Sequence, residues 1–279
     1  MQDIQLIAFD LDGTAINSGM VLTHRTLGAV QEALSRGVKI VPVTGRQLGN
    51  IPDDILDMPG IEYVISDNGA QICTLPDRQR IFSKPFEKKQ AQQLLLECRN
   101  YHSMLYVSIG PEGMIDCPGK DMENSGIVEP DEPSDEYWGN RSVDAVRYIE
   151  RPGIEMYKLV ITFPDDEAMQ EVFHIFEDRN DLVATSSMSN NIELIPTGVS
   201  KEEGLRFVAG MLQVAMQNVM AVGDHHNDIG MITAAGWGVA MGNALDAVKA
   251  VADSVTLSND EDGLAVAIER ILQEKALAP

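Results

Sequence analysis

Two acidic residues near the start of the chain have a spacing that suits metal chemistry. Asp10 and Asp12 lie in the run Asp10-Leu11-Asp12-Gly13-Thr14, and two carboxylates at this spacing can reach one small volume as the chain leaves a strand. Because close carboxylates repel, the pair requires a bound cation or a protonated carboxyl group. Asp224 follows another predicted strand and supplies a third oxygen donor. Oxygen-only ligation of this kind suits Mg²⁺.

A lysine later in the chain indicates an anion site. The run Ser200-Lys201-Glu202-Glu203 has the Ser-x-x-Glu form of a capping box, which places Lys201 in the first turn of a helix. An ammonium group at a helix N-terminus is unfavourable for the helix alone. Together with the unpaired backbone N–H groups of the first turn, however, it forms an anion-binding position. The alternative is a solvated surface lysine.

Buried strands are predicted directly before three of the polar clusters. The strand and cluster pairs are residues 4–9 with Asp10, residues 38–43 with Thr44-Gly45-Arg46, and residues 219–223 with Asp224-His225-His226-Asn227-Asp228. Helical patterns such as residues 26–35 alternate with these strands, as in strand-helix-strand units around a parallel sheet. Because ligands of such sheets bind outside the carboxyl ends of the strands, we expect the clusters to meet there.

The remaining core elements continue this alternation. A strand at residues 63–66 runs into Asp67-Asn68-Gly69-Ala70, where Asn-Gly predicts a hairpin. Beyond residue 196 the sequence predicts helices from 201, at 228–235, at 245–251 and from 263, with strands at 219–223, 239–241 and 254–256. Both ends of the chain therefore contribute to one Rossmann-like parallel sheet.

A segment of different character interrupts this core. Its predicted strands, at residues 104–108, 157–163, 182–187 and 192–195, stand beside separate helices at 87–100 and 165–179. Such segregation is typical of an α+β module with an antiparallel sheet. We therefore predict an α/β fold with a Rossmann-like core at 1–83 and 196–279 and an inserted α+β domain at 84–195.

Composition narrows the class of partner. The 279 residues include 43 acidic and 21 basic side chains, a formal net charge of −22, so the chain repels nucleic acid and anionic lipid. The three cysteines show no metal-ligand spacing and fit reduced, buried thiols. With no apolar run of the ~18 residues that a membrane span needs and no signal-peptide pattern at the first residues, we expect a cytoplasmic protein.

Four motifs in order resemble those of the haloacid dehalogenase-like phosphohydrolases. They are Asp10-Leu11-Asp12-Gly13-Thr14, Thr44-Gly45-Arg46, Gly198-Val199-Ser200-Lys201 and Gly223-Asp224-His225-His226-Asn227-Asp228. The tail from Gly238 to Gly263 is similar to the Cof-type branch of that family, and the insertion lies where this branch has its type 2 cap. The sequence departs from the pattern at Glu202, where Gly is common, and at Ala15, where Leu is common.

The resemblance implies covalent catalysis in two steps. Asp10 would attack phosphorus and form an aspartyl-phosphate, and Asp12 would protonate the leaving oxygen and then activate the hydrolytic water. Related phosphate-transferring ATPases have Thr at the position of Asp12, so Asp12 favours a phosphatase or a phosphomutase. The expected substrate is a small phosphorylated metabolite, with a sugar phosphate as the favoured class.

The resemblance also implies a ligand set. Thr44, Gly45, Lys201 and Asn227 would bind the phosphate. Mg²⁺ would be held by the Asp10 carboxylate, the Asp12 backbone carbonyl and Asp224, with Asp228 behind them.

Several alternatives stay open from sequence. A phosphomutase on hexose phosphates would use the same aspartate, and a non-catalytic sugar-phosphate sensor could retain the fold. The adjacent His225 and His226 fit the pocket rim better than a zinc site, which needs further spaced ligands. Tyr137, Trp138 and Trp237 are either sugar-stacking platforms or ordinary loop and core anchors.

Overall fold

The computed structural model describes residues 3–75, 77–101, 103–109, 112–118 and 142–276. The strands are β1 (Leu6–Phe9), β2 (Lys39–Pro42), β3 (Tyr63–Ser66), β4 (Gln71–Thr74), β5 (Arg80–Ser83), β6 (Met104–Ile109), β7 (Glu112–Asp116), β8 (Ser142–Val143), β9 (Met156–Thr162), β10 (Leu182–Thr185), β11 (Asn191–Pro196), β12 (Val219–Gly223), β13 (Trp237–Ala240) and β14 (Ser254–Val255). The helices are α1 (His24–Ser35), α2 (Asp53–Leu56), α3 (Lys88–Cys98), α4 (Ala145–Tyr148), α5 (Asp166–Glu177), α6 (Lys201–Met211), α7 (Ile229–Ala234), α8 (Asp246–Val251) and α9 (Gly263–Ala276). These elements form two compact units, one from residues 1–45, 51–82 and 200–279 and the other from residues 46–50 and 83–199.

The first unit is built on a parallel five-stranded sheet with the order β14-β13-β12-β1-β2. All residues of β1 and β12 are buried, which explains why these strands are continuous apolar runs rather than alternating ones. The predicted Rossmann-like parallel core is confirmed.

The order of the strands creates a switch point at the centre of this sheet. From β1 the chain moves to β2 on one side, whereas β12, β13 and β14 extend the sheet on the other. Asp10 follows β1 directly and its N–H donates to the carbonyl of Val222 at 3.0 Å, so the ends of β1 and β12 lie side by side. Open α/β sheets bind ligands at this point, outside the carboxyl ends of the strands.

The predicted hairpin after β3 is present. β3 and β4 pair antiparallel, with Ser66 opposite Gln71, and β5 extends them to a three-stranded sheet that sequence reasoning missed. An isolated parallel bridge joins Val43 to Ile65, and therefore β3 runs alongside the end of β2. The turn at residues 67–70, which follows β3, therefore lies next to Thr44, which follows β2.

The second unit contains a six-stranded sheet with the order β10-β11-β9-β6-β7-β8. Its pairings are antiparallel except for β7 with β8. The three helices α3, α4 and α5 contribute to one apolar core with alternate residues of the sheet, including Leu95, Phe176 and Leu159. The expectation of a separate, sheet-rich α+β insertion is confirmed, with β7 and β8 as strands that the sequence pattern did not indicate.

Within the described part of the chain, no helix is both long enough and apolar enough to cross a bilayer.

The cysteines give a prediction on thiol reactivity. All three are free; Cys73 and Cys98 are buried, whereas Cys117 is partly exposed. Burial raises the pKa of Cys73 and raises that of Cys98 to about 12, and the thiolate is the reactive form. We expect iodoacetamide at pH 8 to label Cys117 first, with Cys98 labelled only after unfolding in urea. Peptide mass mapping measures this, and labelling of Cys98 at equal rates with and without urea would contradict it.

Candidate active site

Lys201 lies in a buried ion-pair network at the end of the parallel sheet. It is the first residue of α6, whose N-cap Ser200 accepts a hydrogen bond from the Glu203 N–H at 3.0 Å through its side-chain oxygen. Only 1% of Lys201 is exposed, and its Nζ lies 2.8 Å from Asp10 Oδ1 and 2.7 Å from Asp228 Oδ1. The alternative of a solvated surface lysine is therefore wrong.

Asp228 uses both of its oxygens inside the protein. Oδ1 accepts from Lys201, and Oδ2 accepts from the backbone N–H groups of Asp224 at 2.9 Å and His225 at 3.1 Å. Gly223 makes this arrangement possible, because a Cβ there would lie 2.5 Å from the Cβ of Asp228. Asp228 thus fixes both the lysine and the backbone that carries Asp224.

The Asp224 carboxylate packs against the turn that follows Asp10. Thr14 donates to Asp224 Oδ1 at 2.9 Å through its hydroxyl. Gly13 has φ +73°, and a Cβ on it would lie 2.3 Å from Asp224 Oδ2, so only glycine fits this turn. Asn243 donates to the Gly13 carbonyl at 2.8 Å. The roles of Thr14 and Asn243 were missed from sequence, because nothing in the pattern shows which side chain faces Asp224.

Three carboxylates converge at this point. Asp10, Asp224 and Asp228 each offer an oxygen atom, and these atoms lie within 4.8 Å of one another. Burial raises the pKa of Asp10 well above its usual value. The charge of Lys201 lowers this pKa, and the neighbouring carboxylates of the site raise it further. Burial, followed by the charge of Asp228, raises the pKa of Asp224 to about 7.

The same network keeps the lysine charged. Burial alone disfavours the ammonium form, but the neighbouring Asp10 and Asp228 outweigh burial and raise the pKa of Lys201. One ammonium group therefore faces several carboxyl groups, and the cluster has an excess of negative charge. An all-oxygen donor set with this excess fits a hard divalent cation such as Mg²⁺.

Asp12 lies beside this group without joining it. Its charge contributes to the raised pKa values of Asp10 and Asp224, which places it near both. Its carboxylate is not among the three clustered oxygens found in the described residues.

Two of the predicted phosphate ligands, Thr44 and Asn227, both contact Asn68 in the turn after β3. Thr44 is fully buried, and its carbonyl accepts from the Asn68 N–H at 3.0 Å. Asn227 donates to Asn68 Oδ1 at 3.2 Å, while its own buried Oδ1 has no hydrogen-bond partner. Gly45 follows Thr44 directly and is the last residue of the segment 1–45 of the first unit. The sequence pattern indicates Asn68 only as part of a hairpin turn and gives no sign of its contacts with Thr44 and Asn227.

The remaining aromatic candidates that the structure describes contact neighbouring side chains. The rings of His225 and His226 pack edge to face with centroids 5.3 Å apart. Trp237 donates to Ser254 Oγ at 3.0 Å, and the Arg270 guanidinium lies 5.3 Å from the centre of its ring, as expected for a structural anchor. Tyr137 and Trp138 lie outside the described residues.

Comparison with known proteins agrees with this geometry. The family model for haloacid dehalogenase-like hydrolases matches residues 7–268. The chain is 31% identical to 5-amino-6-(5-phospho-D-ribitylamino)uracil phosphatase YcsE of Bacillus subtilis, over 95% of each protein. It is also 31% identical to phosphatase YwpJ of Bacillus subtilis, over 96% of this chain and 100% of that protein.

A solved structure gives the same result for the fold. A haloacid dehalogenase-like hydrolase from B. subtilis superimposes with a TM-score of 0.82 at 29% identity, covering 95% of this chain and 99% of that one. Motifs, fold and relatives together show that the chain belongs to the haloacid dehalogenase-like hydrolases, as a phosphoric monoester hydrolase.

Proposed function

We propose that the protein is a Mg²⁺-dependent phosphatase that hydrolyses a small phosphomonoester through an aspartyl-phosphate on Asp10. The observation that carries this proposal is the buried Lys201 ammonium, held between Asp10 and Asp228 at the switch point of the sheet. Lys201 favours the charged form of Asp10, which is the form that a nucleophile requires, and so opposes part of the effect by which burial raises the pKa of Asp10.

The reaction proceeds in two displacements. In the first, a carboxylate oxygen of Asp10 bonds to phosphorus, the bond from phosphorus to the ester oxygen breaks, and Asp12 protonates the leaving oxygen. In the second, Asp12 removes a proton from water, the water oxygen bonds to phosphorus, and the bond between phosphorus and Asp10 breaks. Inorganic phosphate leaves and Asp10 is regenerated.

Binding of the phosphoryl group falls to the residues around Asp10. Lys201 supplies positive charge, and the first turn of α6 adds backbone N–H groups. Thr44, Gly45 and Asn227 supply hydrogen bonds to the phosphoryl oxygens. Because the transferring group carries dispersed negative charge, such positioning and charge stabilisation provide most of the acceleration.

The carboxylate cluster is the proposed metal site. Asp10 and Asp224 would hold Mg²⁺ together with the Asp12 backbone carbonyl, and Asp228 orients them through its hydrogen bonds to the Asp224 backbone and Lys201. When bound, the cation offsets the charge of the carboxylates and of the phosphoryl oxygens. We place Asp228 behind Asp10 and Asp224, because its oxygens accept hydrogen bonds from Lys201 and from the backbone that carries Asp224.

The favoured substrate class is a sugar or polyol phosphate. Support comes from the name of the YcsE relative, which describes a phosphate on a ribityl chain. We propose that the second unit is the cap domain and that its side chains select among such substrates. The proposed extent of the cap is residues 84–195. The proposed compartment is the cytoplasm, for which the three free thiols are the supporting observation.

Phosphate release with and without metal tests the proposal. Purified protein is assayed on a panel of sugar phosphates, nucleotides and other phosphomonoesters with Mg²⁺ or with EDTA. We expect at least about 100-fold lower turnover in EDTA, and Asp224→Asn is expected to need about 10- to 100-fold more Mg²⁺. The matched control is Asp54→Asn at an exposed position of α2, with wild-type metal dependence.

Three outcomes would overturn the assignment. Turnover that is unaffected by EDTA would contradict the metal requirement. Conversion of a hexose 1-phosphate to its isomer without free phosphate would show a phosphomutase. Phosphate release equal to a blank without enzyme across the panel would favour a sugar-phosphate sensor.

A further inference from the structure

The turn between β3 and β4 has an unusual backbone. Asp67 and Asn68 both have left-handed φ angles, +50° and +55°, and Gly69 follows with φ +95°. Asp67 is fully buried and Asn68 is 1% exposed. Asp and Asn adopt left-handed φ more readily than other side chains do, and here two of them in succession are held in a buried turn. A hairpin alone does not require a buried turn of this kind.

The contacts of this turn reach three separate phosphate-binding segments. The Asn68 N–H donates to the carbonyl of Thr44 at 3.0 Å, and Asn68 Oδ1 accepts from Asn227 Nδ2 at 3.2 Å. Gly69 packs so closely on the residue before Lys201 that a Cβ would lie 2.2 Å from the Ser200 carbonyl oxygen. All these residues belong to the first unit.

The hydrogen bond to Asn227 fixes the orientation of an amide. With its Nδ2 donating to Asn68, Asn227 has its Oδ1 buried and without a hydrogen-bond partner in the structure. The amide nitrogen carries a second N–H, and with the first N–H donated to Asn68 this second one is the donor that can reach a phosphoryl oxygen.

The turn is itself held from the other side. Gln71 donates to Asp67 Oδ2 through its side-chain amide at 2.7 Å, in a buried contact. The turn therefore contacts β4 as well as Thr44, Asn227 and Ser200. Because β4 holds the turn in place, the turn can hold Thr44, Asn227 and Ser200 in fixed positions.

We propose that Asn68 is a positioning residue for phosphate binding and phosphoryl transfer. Its side chain orients the Asn227 amide, and its backbone holds Thr44. This inference rests on the proposed function, because it assigns Thr44 and Asn227 to the phosphoryl group. We assign Asn68 a positioning role, through Asn227 and Thr44, rather than a contact with the substrate.

The substitution Asn68→Gly isolates the side chain. Glycine adopts positive φ without cost, so the turn and its hydrogen bond to Thr44 are retained while the contact with Asn227 is lost. We expect about tenfold lower kcat/KM and a higher inhibition constant for inorganic phosphate, with an unchanged Tm. The matched control is Gln213→Gly, another left-handed residue with φ +58° at the exposed end of α6, which is expected to leave both constants unchanged.

A double-mutant cycle tests whether Asn68 acts through Asn227. In an Asn227→Ala background, Asn68→Gly is expected to change kcat/KM by less than about twofold, because the group that it orients is already absent. Full additivity of the two substitutions would overturn the proposal. So would an Asn68→Gly protein that loses thermal stability but retains the wild-type inhibition constant for phosphate, since this indicates a purely structural turn.

The failure of this inference is distinguishable from failure of the proposed function. Wild-type protein and Asp10→Asn are assayed in parallel. If Asp10→Asn retains turnover, the proposed function is wrong and the positioning role is overturned with it. If turnover depends on Asp10 and Asn68→Gly behaves like Gln213→Gly, only the positioning role is overturned.

Discussion

Asp10→Asn is expected to lower kcat for phosphomonoester hydrolysis by at least about 10⁴-fold. Asparagine retains the size and one acceptor oxygen of Asp10 but cannot form the aspartyl-phosphate. Because burial already disfavours the charged form of Asp10 and Lys201 retains its contact with Asp228, the variant is expected to fold with a Tm close to that of the wild type. Steady-state phosphate release and thermal unfolding measure the two effects separately.

The control for this prediction is an aspartate outside the site. Asp166→Asn, in the exposed first turn of α5, is expected to retain wild-type kcat. An Asp10→Asn protein that releases phosphate at more than about 1% of the wild-type rate would exclude Asp10 as the nucleophile.

Lys201→Met is expected to reduce both stability and activity. Methionine fills much of the same space but leaves Asp10 and Asp228 buried without their cation. Breaking a buried ion pair in this way costs about 3–5 kcal/mol of unfolding free energy, and loss of the positive charge at the phosphoryl group lowers kcat by about 10²- to 10³-fold. Urea unfolding in EDTA and phosphate release in Mg²⁺ are the measurements.

The direction of the pH dependence provides a second check on Lys201. Its pKa is raised in the folded protein, so its stabilising effect is present at neutral pH and is lost only as pH rises through that raised value. The destabilisation caused by Lys201→Met is therefore expected to persist throughout the neutral range. Lys89→Met at an exposed position of α3 is the control, and equal unfolding free energies for the two variants would contradict a buried, charged Lys201.

Sequence patterns predicted the elements that depend on strong local signals. β1 and β12 are short apolar runs that end in polar clusters, and both appear where the runs predict them. The Ser-x-x-Glu signal correctly predicted the start of α6 at Lys201. The strands β5, β7 and β8 were missed because they are short or only partly apolar, and they form through pairing with neighbours rather than through their own pattern.

The contacts within the site depend on the tertiary fold. Sequence spacing indicated that Asp10 and Asp224 would meet, since both follow strands of one sheet. It could not show that Thr14 donates to Asp224, that Asn243 holds the Gly13 carbonyl, or that Asn68 pairs with Asn227. Each of these contacts joins residues far apart in the chain, and no local periodicity encodes them.

Direct detection of the covalent intermediate is the measurement that bears most closely on this account. Asp12→Asn is mixed with a phosphomonoester and Mg²⁺, quenched in acid within one turnover, digested and mapped by mass spectrometry. Because the variant lacks the base that activates water, we expect the peptide containing Asp10 to gain the mass of one phosphoryl group, and we expect no such gain when Asp10→Asn is added to the same protein. Phosphate released with no phosphorylated peptide at any quench time, or a phosphoryl group on a different residue, would contradict the mechanism.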